Sequence, residues 1–297
     1  PRQKNSHSIF EENLDLFEPL IDFITNRGRL PDASEIEIAA IRARIGSLRR
    51  AFTIIREVTD TDQWDQIREE RSQDLLVYLA LTRFDGRPRF SQLPSDLRLD
   101  VRAFFSTYRH ACELADELLF SAGKPEIIND ACNKSDVGKQ TPDALYVHAS
   151  ALSFLPPVLR IYEACAHAYI GAVEGANIIK LCRNKAQVSY LYYPDFETNP
   201  HPALAASLVV PLRSFHVRYQ DYTNSKNPFI LHRKETFVAP NHSLRAKFAR
   251  LTAQEVRAGL YEAPQLIGTR EGWQGILNEK GVRLTGHRLL PNNTTIQ

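Results

Sequence analysis

The chain has 297 residues, of which 43% are hydrophobic and 24% are charged. This composition is typical of a globular protein built from one large domain or two smaller ones. No segment approaches the roughly 18 uninterrupted apolar residues of a transmembrane helix. The polar, basic start is not followed by the apolar run of a signal peptide. We therefore expect a cytoplasmic protein with no membrane partner.

The chain contains four cysteines, and none of them belongs to a C-x-x-C pair. Zinc knuckles and thioredoxin-like sites both depend on such pairs. We therefore expect buried, reduced thiols and no metal site at Cys112, Cys132, Cys165 and Cys182.

Charge is distributed unevenly along the chain. Residues 1–172 hold 21 Lys and Arg against 26 Asp and Glu, whereas residues 173–297 hold 16 against 9, and the net charge is +2. A basic half joined to an acidic half indicates that the basic half faces a polyanion. The alternative is a basic surface that only keeps the protein in solution.

The first 172 residues have the apolar spacing of helices. Gly28 follows the first apolar run as a stop signal, and Ser47 precedes a later run as an N-cap. The sequence Asp-Gly-Arg-Pro at 85–88 marks a turn. The predicted helices cover residues 9–24, 35–45, 47–58, 59–84, 94–121, 125–133 and 156–171.

Beyond residue 172 the pattern changes to short β-rich runs. Two of these runs flank a polar turn at 183–186, which predicts a β-hairpin. The predicted strands cover residues 177–182, 187–193, 207–212 and 215–219, and the predicted helices after them cover 241–260 and 270–280. The fold class is therefore mainly α, with a helical domain (1–172) followed by a basic α+β domain (173–297) that contains a small antiparallel sheet.

Sequence motifs of several enzyme classes are absent. A dinucleotide or S-adenosylmethionine site needs a glycine-rich turn between a strand and a helix, and a phosphate-binding loop needs G-x-x-x-x-G-K-[ST]. Neither occurs, and we interpret Gly268, Gly272 and Gly275 as a structural turn. We therefore expect no catalytic residue and no cofactor site within this chain, and we do not expect it to be catalytic alone.

A metal-dependent nuclease remains as an alternative. Its carboxylates would be Asp195, Glu197 and Glu235, but the acidic-x-Lys step that such sites carry on the next strand is missing. Nucleophilic catalysis would pair a Ser or Cys with a His. We interpret the nearest such pairs as structural: His148 with Ser150, and Cys165 with His167.

The most distinctive segment covers residues 224–240, in which basic residues alternate with aromatic and aliphatic ones. Lys and Arg contact phosphates, and aromatic faces stack on bases. Two other interpretations stay open: an amphipathic segment with a buried apolar face, and a protein-binding segment. The predicted nucleic-acid-binding residues are Lys180, Arg183, Lys185, His232, Arg233, Lys234, Arg245, Lys247 and Arg250.

Several blocks of this sequence resemble one protein family. They include GKQTPDALYVHASAL (138–152), LPPVLRIYEACA (155–166), NPFILHRKETFVAP (227–240) and KFARLTAQEVRAGLY (247–261). In this order they resemble the methyltransferase family associated with DNA phosphorothioation (dnd-type) gene clusters, whose systems replace a non-bridging phosphate oxygen with sulfur. The resemblance extends over the whole chain.

The resemblance implies that an N-terminal domain of the family, which holds S-adenosylmethionine, would precede Pro1. We therefore expect this chain to be a C-terminal accessory region that binds DNA or recognises the target. An alternative is a module that docks onto other phosphorothioation or restriction proteins. A reader of the sulfur itself would need an apolar surface beside phosphate contacts, and residues 229–231 next to 232–234 are compatible with that.

Overall fold

The computed structural model describes residues 5–214 and 216–292. The chain divides into two compact units, unit 1 (Pro1–Leu119) and unit 2 (Phe120–Gln297). The predicted boundary after residue 172 lies inside unit 2, because residues before it pair with the predicted sheet. Unit 2 is basic, with 20 Lys and Arg against 14 Asp and Glu. The uneven charge seen in the sequence is therefore a property of the folded units.

Unit 1 is helical, as the sequence predicts. Its core contains Phe17, Leu20, Ile24 and Ile55, none of which is more than 2% exposed. The Ser47 side chain accepts a hydrogen bond from the backbone N–H of Arg50 and so caps the helix that follows. The helices are α1 (Ser6–Glu11), α2 (Leu14–Arg27), α3 (Ala39–Arg44), α4 (Leu48–Val58), α5 (Thr61–Leu81), α6 (Ser95–Phe105) and α7 (Tyr108–Ser121).

The long helix predicted over 94–121 is two helices, α6 and α7. Ser106 has φ 63°, which no α-helical residue adopts. The hydroxyl of Thr107 then accepts a hydrogen bond from the backbone N–H of His110 at 3.2 Å and starts α7. Ser and Thr compete with helical hydrogen bonding in this way, so the Ser-Thr pair is the sequence signal for the break.

A buried ionic cluster stabilises unit 1 near the end of α2. The Arg29 guanidinium is 5% exposed and donates to both carboxylate oxygens of Glu35 at 2.7 Å and to Asp100 Oδ1 at 2.6 Å. Arg27 donates to the other oxygen of Asp100 at 2.6 Å. The guanidinium of Arg29 holds the pKa of Glu35 below its usual value. Removing one member would leave the other charges buried and unpaired.

Unit 2 is built around a six-stranded antiparallel sheet whose strands are ordered in space as in sequence. A separate two-stranded hairpin follows near the C-terminus. The strands of the sheet are β1 (Lys139–Gln140), β2 (Ala144–His148), β3 (Ile178–Cys182), β4 (Gln187–Tyr192), β5 (Ala206–Pro211) and β6 (Arg218–Asp221), and the hairpin strands are β7 (Val282–Leu284) and β8 (Leu289–Pro291).

The predicted fold class is confirmed: a mainly helical chain carries a small antiparallel sheet in its C-terminal part. The predicted hairpin is β3–β4, with Ile179 opposite Tyr190. The first 172 residues are not all helical, since β1 and β2 precede α9 and β2 pairs with β3. The helices of unit 2 are α8 (Pro125–Asn133), α9 (Pro157–Ile170), α10 (Arg245–Arg257) and α11 (Arg270–Glu279).

Helix α9 packs on the sheet and holds the turn between β3 and β4. Tyr162 is 2% exposed, and its hydroxyl donates to the carbonyl of Lys185 at 2.8 Å and accepts from the backbone N–H of Gln187 at 2.7 Å. Because the turn is fixed from inside the core, the basic hairpin tip has a defined position. Within the described ranges, no helix is both long enough and apolar enough to cross a membrane.

Candidate nucleic-acid interface

A basic cavity of about 330 Å³ lies between α10 and the β7–β8 hairpin of unit 2. Lys247, Arg250 and Gln254 share one face of α10, because residues three, four or seven apart lie on the same side of a helix. The hairpin is tied to this face by a 2.9 Å hydrogen bond from the backbone N–H of Leu289 to Gln254 Oε1. Its turn contributes Thr285, His287 and Arg288.

The cations of this cavity have no compensating carboxylates. Lys247, Arg250 and Arg288 are all exposed. Within residues 5–214 and 216–292, no ion pair involves any of the three; the ion pairs of unit 2 include Lys134–Asp130, His201–Glu255 and Lys280–Glu262. Three unpaired cations around one cavity create a site for an anion.

A buried lysine lies directly behind this cavity. Lys234 is 2% exposed, and its ammonium donates to the carbonyls of Phe196 and Asn199, each at 2.6 Å. The ammonium also lies 3.1 Å from His287 Nε2. Burial, and then the charge of Lys247, lower the pKa of Lys234 to about 7. A protonated Lys234 ammonium can only donate hydrogen bonds, so His287 Nε2 is the acceptor. The imidazole proton of His287 is then on Nδ1.

His287 therefore adds a neutral hydrogen-bond donor to the cations of the cavity. Burial and the nearby Lys234 and Lys247 lower the pKa of His287 to about 4. Its ring stacks on Phe248, with centroids 5.6 Å apart, which holds the imidazole plane in place. The cavity thus combines three cations with a hydroxyl and an oriented imidazole N–H, the donor types that phosphate oxygens accept from.

A second cavity, of about 320 Å³, lies on the other side of the 232–235 segment. Arg233 has a left-handed backbone, with φ 52° and ψ 50°, and its guanidinium lies 4.3 Å from the centroid of the Tyr261 ring. A non-glycine residue in this conformation is uncommon, and such residues concentrate at functional sites. The cavity is lined by Lys139, Ile230, Leu231, His232, Arg233, Tyr261, Pro264, Ile267 and Gly268.

A buried polar network supports the floor of this second cavity. Glu255 is 0% exposed and accepts from His201 Nε2 at 2.7 Å and from the Tyr261 hydroxyl at 2.6 Å. His201 Nδ1 lies 3.2 Å from the carbonyl of Leu231. Burial and the adjacent carboxylate raise the pKa of Tyr261, so its hydroxyl stays protonated and donates.

His232 belongs to the same region and is 6% exposed. Its Nε2 lies 2.6 Å from the carbonyl of Ile267, so Nε2 carries the proton and Nδ1 is an acceptor. That Nδ1 has no hydrogen-bond partner within the described part of the chain. Burial, and then His201, lower the pKa of His232 to about 3. A neutral imidazole with a free, buried lone pair is therefore part of the cavity lining.

The structure brings only some of the predicted nucleic-acid residues together. Lys247 and Arg250 line the basic cavity, and Arg233 lines the second one. Arg245 is exposed on a different side of α10. Lys185 is exposed at the tip of the β3–β4 hairpin, and Lys180 lies over the Tyr146 ring at 5.3 Å.

The structure corrects the prediction that three of these residues contact phosphate. Arg183 is 8% exposed, and its guanidinium donates to Asn133 Oδ1 at 2.7 Å and to Gln140 Oε1 at 3.2 Å. His232 and Lys234 are buried and bonded to backbone carbonyls. The terminal guanidinium nitrogens of Arg183 and the ammonium of Lys234 are bonded to oxygens of the protein, and the free Nδ1 of His232 is an acceptor, which does not bind a phosphate oxygen.

Sequence reasoning missed residues that complete the two cavities. His287 and Arg288 occur in the short sequence GHRLL (286–290), where a basic pair between turn residues is the only available signal. Lys139 lies more than 90 residues before Arg233 in the sequence, yet both line the second cavity. The segment 224–240 contains both exposed and buried aromatic side chains, since Phe229 is 59% exposed while Phe237 is 2% exposed.

The residues of the nuclease alternative do not form a metal site. No group of three or more His, Cys, Asp or Glu side chains in the described ranges could hold a metal ion. Glu235 Oε2 accepts from the Thr252 hydroxyl at 2.9 Å, and Asp195 and Glu197 are exposed. His148 Nδ1 accepts from the Ser150 N–H at 3.1 Å and lies 2.9 Å from the Ser150 hydroxyl, so His148 caps the turn that follows β2.

Comparisons with protein-family models, with curated protein sequences and with solved structures find no significant match to this chain.

Acid is expected to destabilise unit 2 through its buried histidines. Burial lowers the pKa of His148 to about 4 and that of His232 to about 3, whereas both titrate near 6.5 when unfolded. Above pH 6.5 the two histidines are neutral in both the folded and the unfolded chain. As the pH falls from 6.5 towards 4, these histidines become protonated only in the unfolded chain. The free energy of unfolding therefore falls by about 1.4 kcal/mol per pH unit for each histidine.

The measurement is urea unfolding between pH 7.5 and pH 4.5, in the range set by these pKa values. His148→Asn keeps an acceptor for the Ser150 N–H and should make the pH dependence shallower. His216→Asn, at an exposed position before β6, is the matched control and should leave it unchanged. An unfolding free energy that stays constant across this range would contradict the assignment of buried neutral imidazoles.

Proposed function

We propose that this chain is a DNA-binding accessory region, belonging to the methyltransferase family associated with DNA phosphorothioation that its sequence resembles. The observation that carries the DNA-binding part is the basic cavity of unit 2, where Lys247, Arg250 and Arg288 surround one space and form no ion pair with any carboxylate in the described ranges. The family and its DNA context rest on the sequence resemblance alone.

The chemistry of the cavity favours the phosphate backbone as its ligand. Phosphate oxygens accept from Lys, Arg, hydroxyl and imidazole donors, and contacts of this kind supply most of the affinity for DNA without reading its sequence. All of these donor types meet at the cavity, where Thr285 and His287 complement the three cations. The exposed Lys185 and Arg233 extend the positive charge of unit 2 beyond it.

Salt dependence tests this proposal directly. Each phosphate neutralised by a cation contributes about −0.9 to the slope of log affinity against log salt, so three cations predict a slope near −2.7 for a duplex. The measurement is fluorescence polarisation of a labelled duplex titrated with the protein at several salt concentrations. No binding at low salt, or a slope near zero, would refute DNA binding by this surface.

The cavity can be distinguished from charge in general by variants of one helix. Lys247→Ala combined with Arg250→Ala is expected to weaken duplex binding and to reduce the magnitude of the salt slope by about 1.8, because two phosphate contacts are lost. Arg245→Ala is the control for each of the two single variants, Lys247→Ala and Arg250→Ala: it also removes one positive charge from the same helix, but roughly 140° away from Arg250 at about 100° per residue. An equal loss in this control would place the DNA contacts outside the cavity.

A further inference from the structure

The second cavity of unit 2 has features that a phosphate site does not need. Its walls include the aliphatic side chains of Ile230, Leu231 and Ile267, together with the aromatic ring of Tyr261. Its volume of about 320 Å³ is in the range of cavities that hold small organic groups. The occupant must therefore present apolar surface to the protein.

Two cations border this apolar space. Lys139, on β1, and Arg233 both line it, and each lowers the free energy of an anion at its edge. The pKa of Lys139 is lowered by burial and then by the charge of Arg233, while the charge of Glu235 acts in the opposite direction. An occupant with an apolar part and an attached negative charge would relieve the repulsion between Lys139 and Arg233.

Planar groups offer the occupant a stacking surface. The Arg233 guanidinium lies over the Tyr261 ring at 4.3 Å, and both side chains line the cavity. Arg planes and aromatic rings are the surfaces on which proteins stack unpaired nucleobases. The left-handed backbone of Arg233 holds the guanidinium in this position.

One buried atom requires a hydrogen-bond donor. His232 lines the cavity, and its Nδ1 is a buried acceptor without a partner. Leaving such an atom unpaired destabilises the protein. Amino and imide N–H groups on the edges of nucleobases are donors that could satisfy it.

The two cavities are adjacent in the chain. Arg233 lines the apolar cavity, and the next residue, Lys234, contacts His287 of the basic cavity. Consecutive Cα atoms are about 3.8 Å apart, so a single segment connects the two sites. A polynucleotide bound at both cavities would place phosphates in the basic one and a base in the apolar one.

We propose that the cavity lined by Arg233, Tyr261 and His232 binds a nucleobase that has left the base stack. The base lies between the aliphatic walls and the Arg233–Tyr261 pair, its edge donates to His232 Nδ1, and its phosphate faces Lys139 and Arg233. This site rests on the proposed function, because the basic cavity must hold the neighbouring phosphates. It adds recognition of the base to binding of the backbone.

The test compares two ligands with the same phosphates and different bases. One is a labelled duplex with a short single-stranded gap that carries bases, and the other carries abasic tetrahydrofuran residues in the gap. Stacking one base is expected to make the first ligand bind about tenfold more tightly than the second. The salt slopes of the two ligands should be equal, because their phosphate contacts are equal.

Gly268→Phe locates the effect within the structure. Gly268 lines the cavity, its φ is not positive, and an added Cβ would meet no atom within 4 Å, so a larger side chain fits without strain. The new ring should compete with the base, so that both ligands bind with the affinity of the abasic one. Gly275→Phe is the matched control, since Gly275 also has open space but lies on α11 outside both cavities.

Each outcome decides between the two proposals. Equal affinity of the unmodified protein for both ligands, with a normal salt slope, overturns the base site and leaves DNA binding intact. Preference for the base-bearing ligand that survives in Gly268→Phe places base recognition outside this cavity and also overturns the assignment. Failure of both ligands to bind at low salt overturns the base site together with the proposed function.

Discussion

Glu255→Ala is expected to destabilise unit 2 by about 3–5 kcal/mol, the cost of removing one partner from a buried charged hydrogen-bond network. Glu255 is 0% exposed and accepts from both His201 Nε2 and the Tyr261 hydroxyl. Alanine would leave both donors buried without an acceptor and would open a cavity behind Trp273. The measurement is the free energy of unfolding in urea.

Two further variants test whether the loss of stability comes from the buried network. Glu262→Ala removes an exposed carboxylate whose only described ion pair is with Lys280, and it should cost at most about 1 kcal/mol. Glu255→Gln keeps one acceptor, and its free energy of unfolding should lie between those of Glu255→Ala and Glu262→Ala. A Glu255→Ala variant as stable as Glu262→Ala would show that His201 and Tyr261 do not depend on this carboxylate.

Arg29→Ala is expected to destabilise unit 1 by a similar amount, about 3–5 kcal/mol, because Asp100 and Glu35 would lose their counter-ion inside the protein. Asp100 is 7% exposed, so water cannot replace the guanidinium there. Arg29→Lys should restore little of this stability, since an ammonium cannot donate to Asp100 and to both oxygens of Glu35 in the geometry of the guanidinium plane.

The control for this second variant is Arg44→Ala. Arg44 also pairs with a carboxylate, Asp15, at 2.7 Å, but the two side chains are 42% and 62% exposed. Screening by water reduces such a pair to about 0–1 kcal/mol. Equal losses of unfolding free energy for Arg29→Ala and Arg44→Ala would contradict the importance that the structure assigns to burial. Thermal or urea unfolding of both variants at pH 7 provides the comparison.

The helical part of the fold follows well from local sequence patterns. Gly28 ends α2 with φ 67°, in the left-handed conformation that glycine adopts most easily. Ser47 and Asp60 cap the helices that begin after them. These signals act over a few residues and need no knowledge of the rest of the chain, so sequence reasoning found the helix ends within a few positions.

Strands β1 and β2 were missed because their signal is not local. Strand β2 has the residues ALYVH, and Ala144, Leu145 and Val147 are each 0% exposed. A strand buried on both faces lacks the alternation that identifies a strand, and a short apolar run such as ALYV is equally compatible with a helix. Only pairing with β3, more than 30 residues away, makes this segment a strand.

In the candidate site, the local sequence likewise does not reveal which individual side chains are buried and which are exposed. Composition places the net positive charge in the C-terminal part of the chain, but Arg183, Lys234 and Lys247 look alike in sequence. Lys234 is buried against the carbonyls of Phe196 and Asn199, while Lys247 is exposed at the cavity. A cation becomes structural when the fold supplies enough acceptors to replace water.

The sequence by itself determined the fold class, the position of the β3–β4 hairpin and the location of the positive charge, because each depends on composition or on neighbours within a few residues. Only the tertiary structure decided which cations line a cavity and which residues complete it. His287 and Arg288 reach Lys247 and Arg250 across about 40 residues of chain through packing of the β7–β8 hairpin on α10. Long-range packing sets burial and proximity, and these two quantities distinguish a binding cation from a structural one.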